Sequence, residues 1–355
     1  MKTAKRSRDA FAIGGKTVAA GARARVDIPV ADLHTGTTLT MPVHVLHGAK
    51  DGPRLFLSAA VHGDELNGVE IIRRVLQRRE LQNLRGTIVA VPIVNVFGLV
   101  NGSRYLPDRR DLNRSFPGSE KGSLAARLAH LFLNEVAGRC THGIDLHTGA
   151  RDRTNLPQTR LAFDDDEARR MAEAFGAPVA VDSPVRDGSL RGEAAARGIH
   201  VVLFEGGEAL RFDEWAIRPG VAGVLRVMRH LDMLRKSKGP SRPPPVLSTS
   251  SSWIRAPESG LLRLKVRLGQ ALQKGEELGD VVDLAGEMAV PIRATFPGVI
   301  IGLSNLPLVH EGDALVHVAR TDAEASERVE RITHSNYPLP GPSVDDDQTH
   351  DEGVS

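Results

Sequence analysis

Short apolar runs alternate with segments of helical periodicity through the first two thirds of the chain. The runs of strand length cover residues 55–61, 87–94, 142–146, 178–181 and 199–204. Apolar residues recur every three or four positions over residues 69–81, 124–136 and 219–234, which predicts amphipathic helices. This alternation predicts an α/β fold in which a mixed, mostly parallel sheet is flanked by helices.

Changes in composition predict the domain boundaries. Residues 236–252, KSKGPSRPPPVLSTSSS, are rich in Pro and Ser and predict a linker. We therefore expect an N-terminal segment at 1–25, an α/β domain at 26–235 and a second module at 253–320. The acidic, polar residues 321–355 predict a disordered tail.

The module at 253–320 has two similar halves of short strands and glycine turns. The segment Lys274-Gly275-Glu276 is echoed by Glu311-Gly312-Asp313, which predicts a small all-β sandwich. The pattern resembles a biotinyl/lipoyl-type domain. Such domains carry a modifiable lysine on a central hairpin, whereas residues 283–289 here contain none. We therefore predict no carrier role, and expect the module to limit access to the active site or to form a homo-oligomer contact.

Charge and cysteine content exclude several classes of protein. With 46 Lys and Arg against 44 Asp and Glu, the net charge of +2 gives no global field for nucleic acid or acidic membranes. Any anion selectivity must be local. Cys140 is the single cysteine, so a metal would need histidine and carboxylate ligands. No apolar run of about 18 residues or signal-like start is present, and we expect a cytoplasmic protein without a membrane span.

Two short patterns at predicted strand ends suggest a metal site. His62 and Glu65 are three residues apart in the turn after the strand at 55–61. His147 ends another predicted strand, in which Asp145 shares its face and can support the imidazole. The alternative for His62 and Glu65 is an exposed turn that caps the following helix. Two histidines and one carboxylate would form an open zinc site with room for water.

Hydrolysis at such a site also needs a general base. Glu205 follows the apolar run 199–204 and precedes two glycines, so it emerges at a strand end. Glu208 is the alternative, although a surface or helix-start role suits it better. In open α/β sheets ligands bind at the carboxyl ends of strands, where Glu205 would meet the metal site. The aperiodic segment 95–120, dense in Arg, Asn and Asp, predicts a binding loop.

Four motifs in order carry a resemblance to a known family. The motifs are AAVHGDELNG, RDLNRSFPG, GIDLHTG and LFEGGE. They resemble the succinylglutamate desuccinylase/aspartoacylase family, zinc-dependent deacylases with a zinc-carboxypeptidase-like fold. The resemblance covers residues 55–234 and extends to the β-rich module. It implies one zinc ion per chain on His62, Glu65 and His147.

The resemblance also implies roles for residues around the metal. Glu205 would be the general base and then the proton donor to the leaving amine. Asn113 and Arg114 would hold a substrate carboxylate. Arg104 corresponds best to the arginine that polarises the scissile carbonyl. Arg104 lies farther from the Asn-Arg pair than in aspartoacylases, so Arg109 and Arg110 stay open for that role.

The sequence therefore predicts a zinc-dependent hydrolase that cleaves the amide of an N-acyl amino acid or a related small amide. Its partner would be a small molecule with a free carboxylate, and we expect neither nucleic acid nor membrane binding. One alternative is a carboxypeptidase-like amidase that trims a C-terminal, acidic residue from a peptide. A further alternative is a non-catalytic binding protein.

Overall fold

The computed structural model describes residues 8–236, 243–286 and 288–339. The chain divides into two compact units, and the boundary falls between Thr249 and Ser250. The strands of the first unit are β1 (Phe11–Ile13), β2 (Lys16–Val18), β3 (Arg23–Asp32), β4 (Thr38–His47), β5 (Lys50–Ala59), β6 (Arg85–Val91), β7 (His142–His147), β8 (Arg153–Leu161), β9 (Val179–Asp182), β10 (His200–Gly207) and β11 (Val246–Ser248). Its helices are α1 (Asn67–Leu76), α2 (Val96–Val100), α3 (Leu124–Glu135), α4 (Asp166–Phe175), α5 (Leu190–Ala196) and α6 (Glu214–His230). Short 3₁₀ helices cover Arg79–Asn83, Leu112–Arg114 and Ala137–Arg139.

One mixed sheet organises the first unit. Its strand order is β11-β9-β8-β10-β7-β5-β6-β4-β3. The pairs from β10 through β7 and β5 to β6 are parallel, as are β8 with β9 and β9 with β11. The pairs β8 with β10, β4 with β6 and β3 with β4 are antiparallel. The predicted mixed, mostly parallel sheet is confirmed.

Alternating side chains of the strands form two cores, one on each face of the sheet. Leu55 and Leu57 of β5 point into a core completed by α1, α4 and α6. Phe56 points to the other face, where α3 and α5 cover the sheet. Helices cover both faces, and the cores between the sheet and the helices are formed by apolar residues, as the apolar runs predicted. The loops after the strands are left to carry polar side chains.

Several elements of the first unit were not predicted. β8 reads RTNLPQTRL and buries polar Gln158 and Thr159, so it shows no apolar run. α4 buries Ala168, Met171, Ala172 and Phe175 at helical spacing, so the sequence held a periodicity that the prediction overlooked, whereas α5 spans only seven residues. The helix predicted at 219–234 begins five residues earlier, at Glu214, and includes Pro219.

The second unit is an antiparallel β module with one helix. Its strands are β12 (Ser251–Arg255), β13 (Gly260–Leu264), β14 (Ala271–Leu272), β15 (Glu277–Val282), β16 (Ala289–Arg293), β17 (Gly298–Ser304), β18 (Leu308–Val309) and β19 (Ala314–Arg320). They form two sheets within this unit, ordered β12-β19-β17-β14 and β16-β15-β13-β18. A carrier domain would hold its modifiable lysine between β15 and β16.

Three predictions about segment boundaries need correction. The predicted linker contains β11, which pairs with β9 because Val246 is buried there. The predicted disordered tail begins with a helix, α7 (Ala323–Asn336), which buries Val329. The predicted separate segment at 1–25 packs Phe11, Ile13 and Val18 into the first unit's core. The remaining linker residues 237–242 and tail residues 340–355 lie outside the described residues. Nowhere in the described ranges is a helix both long and apolar enough to cross a bilayer.

Candidate active site

A strained turn after β5 begins the site. Ala60 has φ of +48°, a left-handed conformation that a residue with a side chain adopts at some cost. The turn continues through His62, whose carbonyl accepts a hydrogen bond from the Glu65 amide at 3.1 Å. At Gly63 a Cβ atom would lie 2.0 Å from the backbone of Gly98 in α2, so only glycine permits this close approach. The turn is thus fixed where β5 meets the loop 95–120.

Two histidines share one carboxylate at the carboxyl ends of β5 and β7. His62 Nδ1 lies 2.7 Å from Glu65 Oε1, and His147 Nδ1 lies 2.8 Å from Glu65 Oε2. All three side chains are buried, and their ligand atoms lie within 4.8 Å of one another. Among the residues that the structure describes, this is the one group of three or more histidine, cysteine or acidic side chains that meets this spacing.

A second carboxylate fixes each imidazole ring from its far side. His147 Nε2 lies 2.8 Å from Asp145 Oδ2, and Asp145 is itself held by the Ser58 hydroxyl, which donates to Oδ1 at 2.7 Å. His62 Nε2 lies 3.1 Å from Asp111 Oδ1. With both Nε2 atoms engaged, both Nδ1 atoms turn toward Glu65. This is the arrangement in which outer carboxylates orient metal-binding histidines.

The pKa values of the three groups reflect this concentration of charge. Burial opposes ionisation of Glu65, but the adjacent His62 and His147 outweigh it and hold the pKa of Glu65 well below its usual range. Burial alone would lower the pKa of both imidazoles. The facing carboxylates reverse that effect and raise the pKa of His62 and, more strongly, of His147. The cluster therefore strongly favours a positive charge at its centre.

Glu205 lies beside this cluster on β10. It is opposite His147 in the register of the parallel pair β7 and β10. Its Oε2 accepts a hydrogen bond from Asn155 Nδ2 at 2.9 Å, and Arg160 Nε lies 3.9 Å from its Oε1. Burial raises the pKa of Glu205, and the positive charges of Arg160 and His147 oppose that rise. A carboxylate with a raised pKa is a better proton acceptor than a solvated one.

Arg104 enters the cluster from the loop 95–120. Its Nη1 lies 3.2 Å from Glu65 Oε1, and its Nη2 lies 3.0 Å from Asp111 Oδ2. Burial would lower the pKa of Arg104, but Glu65 and Asp111 raise it, so the guanidinium stays charged. The alternatives Arg109 and Arg110 are both exposed. The structure thus brings Arg104, and neither alternative, to the predicted metal ligands.

Asn113 and Arg114 follow Asp111 in the same loop but differ in exposure. Asn113 is buried, and its Oδ1 accepts a hydrogen bond from the backbone of Leu190 at 2.9 Å. Arg114 is exposed and donates through Nη1 to the Asn113 carbonyl at 2.5 Å. Partial burial lowers the pKa of Arg114, and the nearby Arg186 and Arg104 add to this effect against Asp111. Asn113 therefore shapes the loop, while the Arg114 side chain reaches solvent.

Besides Ser58, sequence reasoning missed Asp111, Asn155 and Arg160, which contact predicted residues, and it misjudged Glu208. Asp111 bridges His62 and Arg104, and its only signal was its place in the RDLNRSFPG motif. Asn155 and Arg160 flank Glu205 from β8, the strand that was not predicted. Glu208 is buried instead of lying at the surface, since its Oε1 accepts a hydrogen bond from the Asp152 amide at 3.0 Å. That contact holds the loop before β8 and removes Glu208 from the site.

Comparisons with known proteins place these motifs in context. The sequence profile of the succinylglutamate desuccinylase/aspartoacylase catalytic domain matches residues 51–231. The chain is also 27% identical over 283 residues to an N-alpha-acetyl-L-2,4-diaminobutyric acid deacetylase from Halomonas elongata. That match covers 76% of this chain and 82% of the deacetylase.

Solved structures show the same fold over nearly the whole chain. A succinylglutamate desuccinylase/aspartoacylase from Rhodobacter sphaeroides superposes with a TM-score of 0.75 at 23% identity, covering 91% of this chain and 99% of that one. The product-bound ectoine utilization protein EutE from Ruegeria pomeroyi gives a TM-score of 0.76 at 23% identity, covering 90% and 98%. The predicted zinc-carboxypeptidase-like architecture with its β-rich module is confirmed at the level of this fold.

Proposed function

Because the chain belongs to the succinylglutamate desuccinylase/aspartoacylase family, we propose that it is a zinc-dependent amidohydrolase that removes the acyl group from an N-acyl amino acid. Family membership and the deacetylase relative establish the coarser class, a deacylase acting on amides. The metal, the general base and the carboxylate contact are our proposal. We place this activity in the cytoplasm.

The convergence of His62, Glu65 and His147 carries the proposal. Two imidazoles and one carboxylate are the ligands of a catalytic zinc site that leaves a position open. The donors fit a cation because the buried Glu65 oxygens face both Nδ1 atoms, and the far sides of both rings are already bound by carboxylates. Zinc bound by these residues would polarise a carbonyl and lower the pKa of water toward about 7.

Glu205 would move the proton during hydrolysis. The carboxylate accepts a proton from the attacking water and later donates it to the nitrogen of the leaving amine. Asn155 donates to Oε2 of Glu205, so Oε1, which lies 3.9 Å from Arg160 Nε, would be the atom that exchanges the proton. Burial of this carboxylate suits the role, since its raised pKa brings proton acceptance and donation closer in energy.

Two arginines would bind the negative charges of the substrate. Arg104, fixed by Glu65 and Asp111, would stabilise the oxyanion that forms when water attacks the amide carbon. Arg114 would pair with the free carboxylate of the amino acid, because a planar guanidinium binds a carboxylate through two parallel hydrogen bonds. Asn113 would position Arg114 through its carbonyl.

A substrate panel with metal analysis tests the proposal. We expect about one zinc per chain by elemental analysis and release of free amine from at least one N-acyl amino acid. The panel should include N-acetyl-2,4-diaminobutyrate, N-acetylaspartate and N-succinylglutamate, together with peptides that end in an acidic residue. Cleavage of the peptides alone would establish the carboxypeptidase-like alternative. Full zinc loading without any hydrolysis would favour a binding protein.

A further inference from the structure

A large basic cavity lies at the opposite end of the sheet from the metal ligands. Its volume is about 810 Å³, within the range of small-molecule sites. Its walls include Lys50 and Arg85, the first residues of the parallel strands β5 and β6, which are paired in register. Because His62 and His147 lie at the carboxyl ends of β5 and β7, the cavity is separate from the active site. None of the proposed catalytic residues lines it.

The cavity gathers more positive charge than the composition of the chain suggests. Seven basic residues line this cavity, which we call the basic basin: Arg23, Lys50, Arg78, Arg79, Arg85, Arg235 and Lys236. Asp232 is the one acidic residue in its lining. The whole chain carries a net charge of only +2, so the charge here is local. A concave surface with one sign of charge concentrates the field and attracts ions of opposite sign.

The cations of the basic basin are not neutralised by neighbouring acids. Within the described ranges, none of the seven forms an ion pair, although arginines nearby do. Arg73 and Arg74 bind Glu70, and Arg229 binds Glu80. The lining also includes apolar residues, among them Leu46, Leu81 and Leu84.

We infer that the basic basin binds a small anion of the polyphosphate class. Arginines that do not already pair with acids favour phosphate oxygens, which accept two parallel hydrogen bonds from one guanidinium. Three separate parts of the chain supply the cations, namely residues 23–50, residues 78–85 and residues 235–236. An anion whose charges are spread along a short chain matches this distribution better than a single phosphate does.

Titration of the full-length protein with inorganic tripolyphosphate tests this inference by calorimetry. We expect 1:1 binding that weakens by about tenfold or more between 50 and 300 mM salt, because the contacts are between exposed charges. Adenosine triphosphate separates two sources of the same chemistry. Equal affinity would indicate recognition of the phosphate chain alone, and tighter binding would add a nucleoside contact with the apolar residues of the lining. Orthophosphate binding as tightly as tripolyphosphate would overturn the polyphosphate class.

Matched charge reversals locate the ligand. Arg79→Glu/Arg235→Glu should weaken tripolyphosphate binding at least tenfold. The control Lys121→Glu/Arg127→Glu changes the net charge equally at exposed positions outside the basin and should have a small effect. Arg79→Gln/Arg235→Gln provides a milder variant if the reversals impair folding. Equal loss in the basin and control variants would overturn the assignment.

A final variant separates this inference from the proposed function. Tripolyphosphate also chelates metal ions, so an apparent effect could come from the active site. His147→Ala removes a proposed metal ligand and leaves the basic basin intact, and it should bind tripolyphosphate as the unaltered chain does. Loss of binding in His147→Ala would place the anion at the active site and overturn the inference without touching the proposed hydrolysis.

Discussion

Strand β7 carries a histidine at each of its ends, but only at its carboxyl end do side chains converge to form the proposed metal site. β7 begins at His142 and ends at His147, and the neighbouring β10 carries His200 opposite His142 and Glu205 opposite His147. At the carboxyl end, one buried carboxylate is shared by two imidazoles. At the amino end, the rings of His142 and His200 are 5.6 Å apart, and each faces a different carboxylate.

The difference lies in how the carboxylates are used. Glu167 lies 4.0 Å from His142 and 3.4 Å from His230, but its other oxygen binds Arg170 at 2.6 Å. Asp165 faces His200 and also caps α4 by accepting from the Ala168 amide. These groups are partly solvated and already paired. Residue types alone therefore do not make a metal site, which requires ligand atoms that converge on one point away from water.

Removing one histidine from each end of β7 should give the largest difference between the two ends. We expect His147→Ala to lose most of its zinc and all measurable deacylase activity while it stays folded, because two ligands hold zinc poorly. His142→Ala, on the same strand, should keep both. Elemental analysis and circular dichroism of the two variants provide the measurement. Full zinc retention in His147→Ala would exclude this site.

The next largest effect concerns the proton transfer at the end of β10. Glu205→Gln keeps the shape of the side chain and its contact with Asn155, but an amide cannot accept a proton from water. We expect kcat to fall by roughly 10²–10⁴ with zinc content unchanged. His200→Gln, at the other end of β10, should leave kcat near normal. A Glu205→Gln enzyme that turns over normally would refute a mechanism assisted by this glutamate.

The sequence was informative about the site at the carboxyl ends of the strands, because the predicted strand ends and the motifs coincide there. An apolar run predicts where β5 stops, and His62 and Glu65 follow within one turn, so local reasoning reaches them. Asp111 could not be found this way. It touches His62 across 49 positions through a loop without periodicity, and only the folded loop brings them together.

The fold shows the same limit. Strands β5, β6, β7 and β10 were predicted, because β5, β6 and β10 each contain an apolar run and β7 alternates Ile144 and Leu146 with more polar positions. β8 buries Gln158 and Thr159, whose polar character hides a central strand from any hydrophobic pattern. Packing in the folded chain, and not a local pattern, determines such a strand. Because β8 was not predicted, Asn155 and Arg160, which it places beside Glu205, were not predicted either. The role of the C-terminal module stays a prediction.

Binding of the substrate carboxylate at the carboxyl ends of the strands provides a test with a smaller expected effect. Arg114→Ala should reduce kcat/KM for substrates with a free carboxylate by about 10- to 100-fold, the worth of a charge-assisted hydrogen bond. Analogues with an amidated carboxyl group should be poor substrates and lose little further. The matched control is Arg109→Ala, an exposed arginine of the same loop. Equal losses on both kinds of substrate would instead mean that Arg114 supports the loop.

The smallest expected effect is on the free energy of unfolding and arises at the amino end of β7. Burial lowers the pKa of His142, and the nearby His200 and His230 lower it further, while Glu167 and Asp165 oppose them. The folded chain therefore binds this proton less readily than the unfolded chain, whose histidine titrates near pH 6.5. Stability associated with His142 is fully present above that pH and is lost as the pH falls toward the lower, folded-state pKa.

His142→Asn removes this titration, so its melting temperature should fall less steeply than that of the unaltered chain between pH 7.5 and 5. We expect a difference in unfolding free energy below about 1 kcal/mol, because the side chain is only partly buried. Parallel slopes for His142→Asn and the unaltered chain would show that the amino end does not titrate with folding, and the contrast between the two ends of β7 would then rest on metal binding alone.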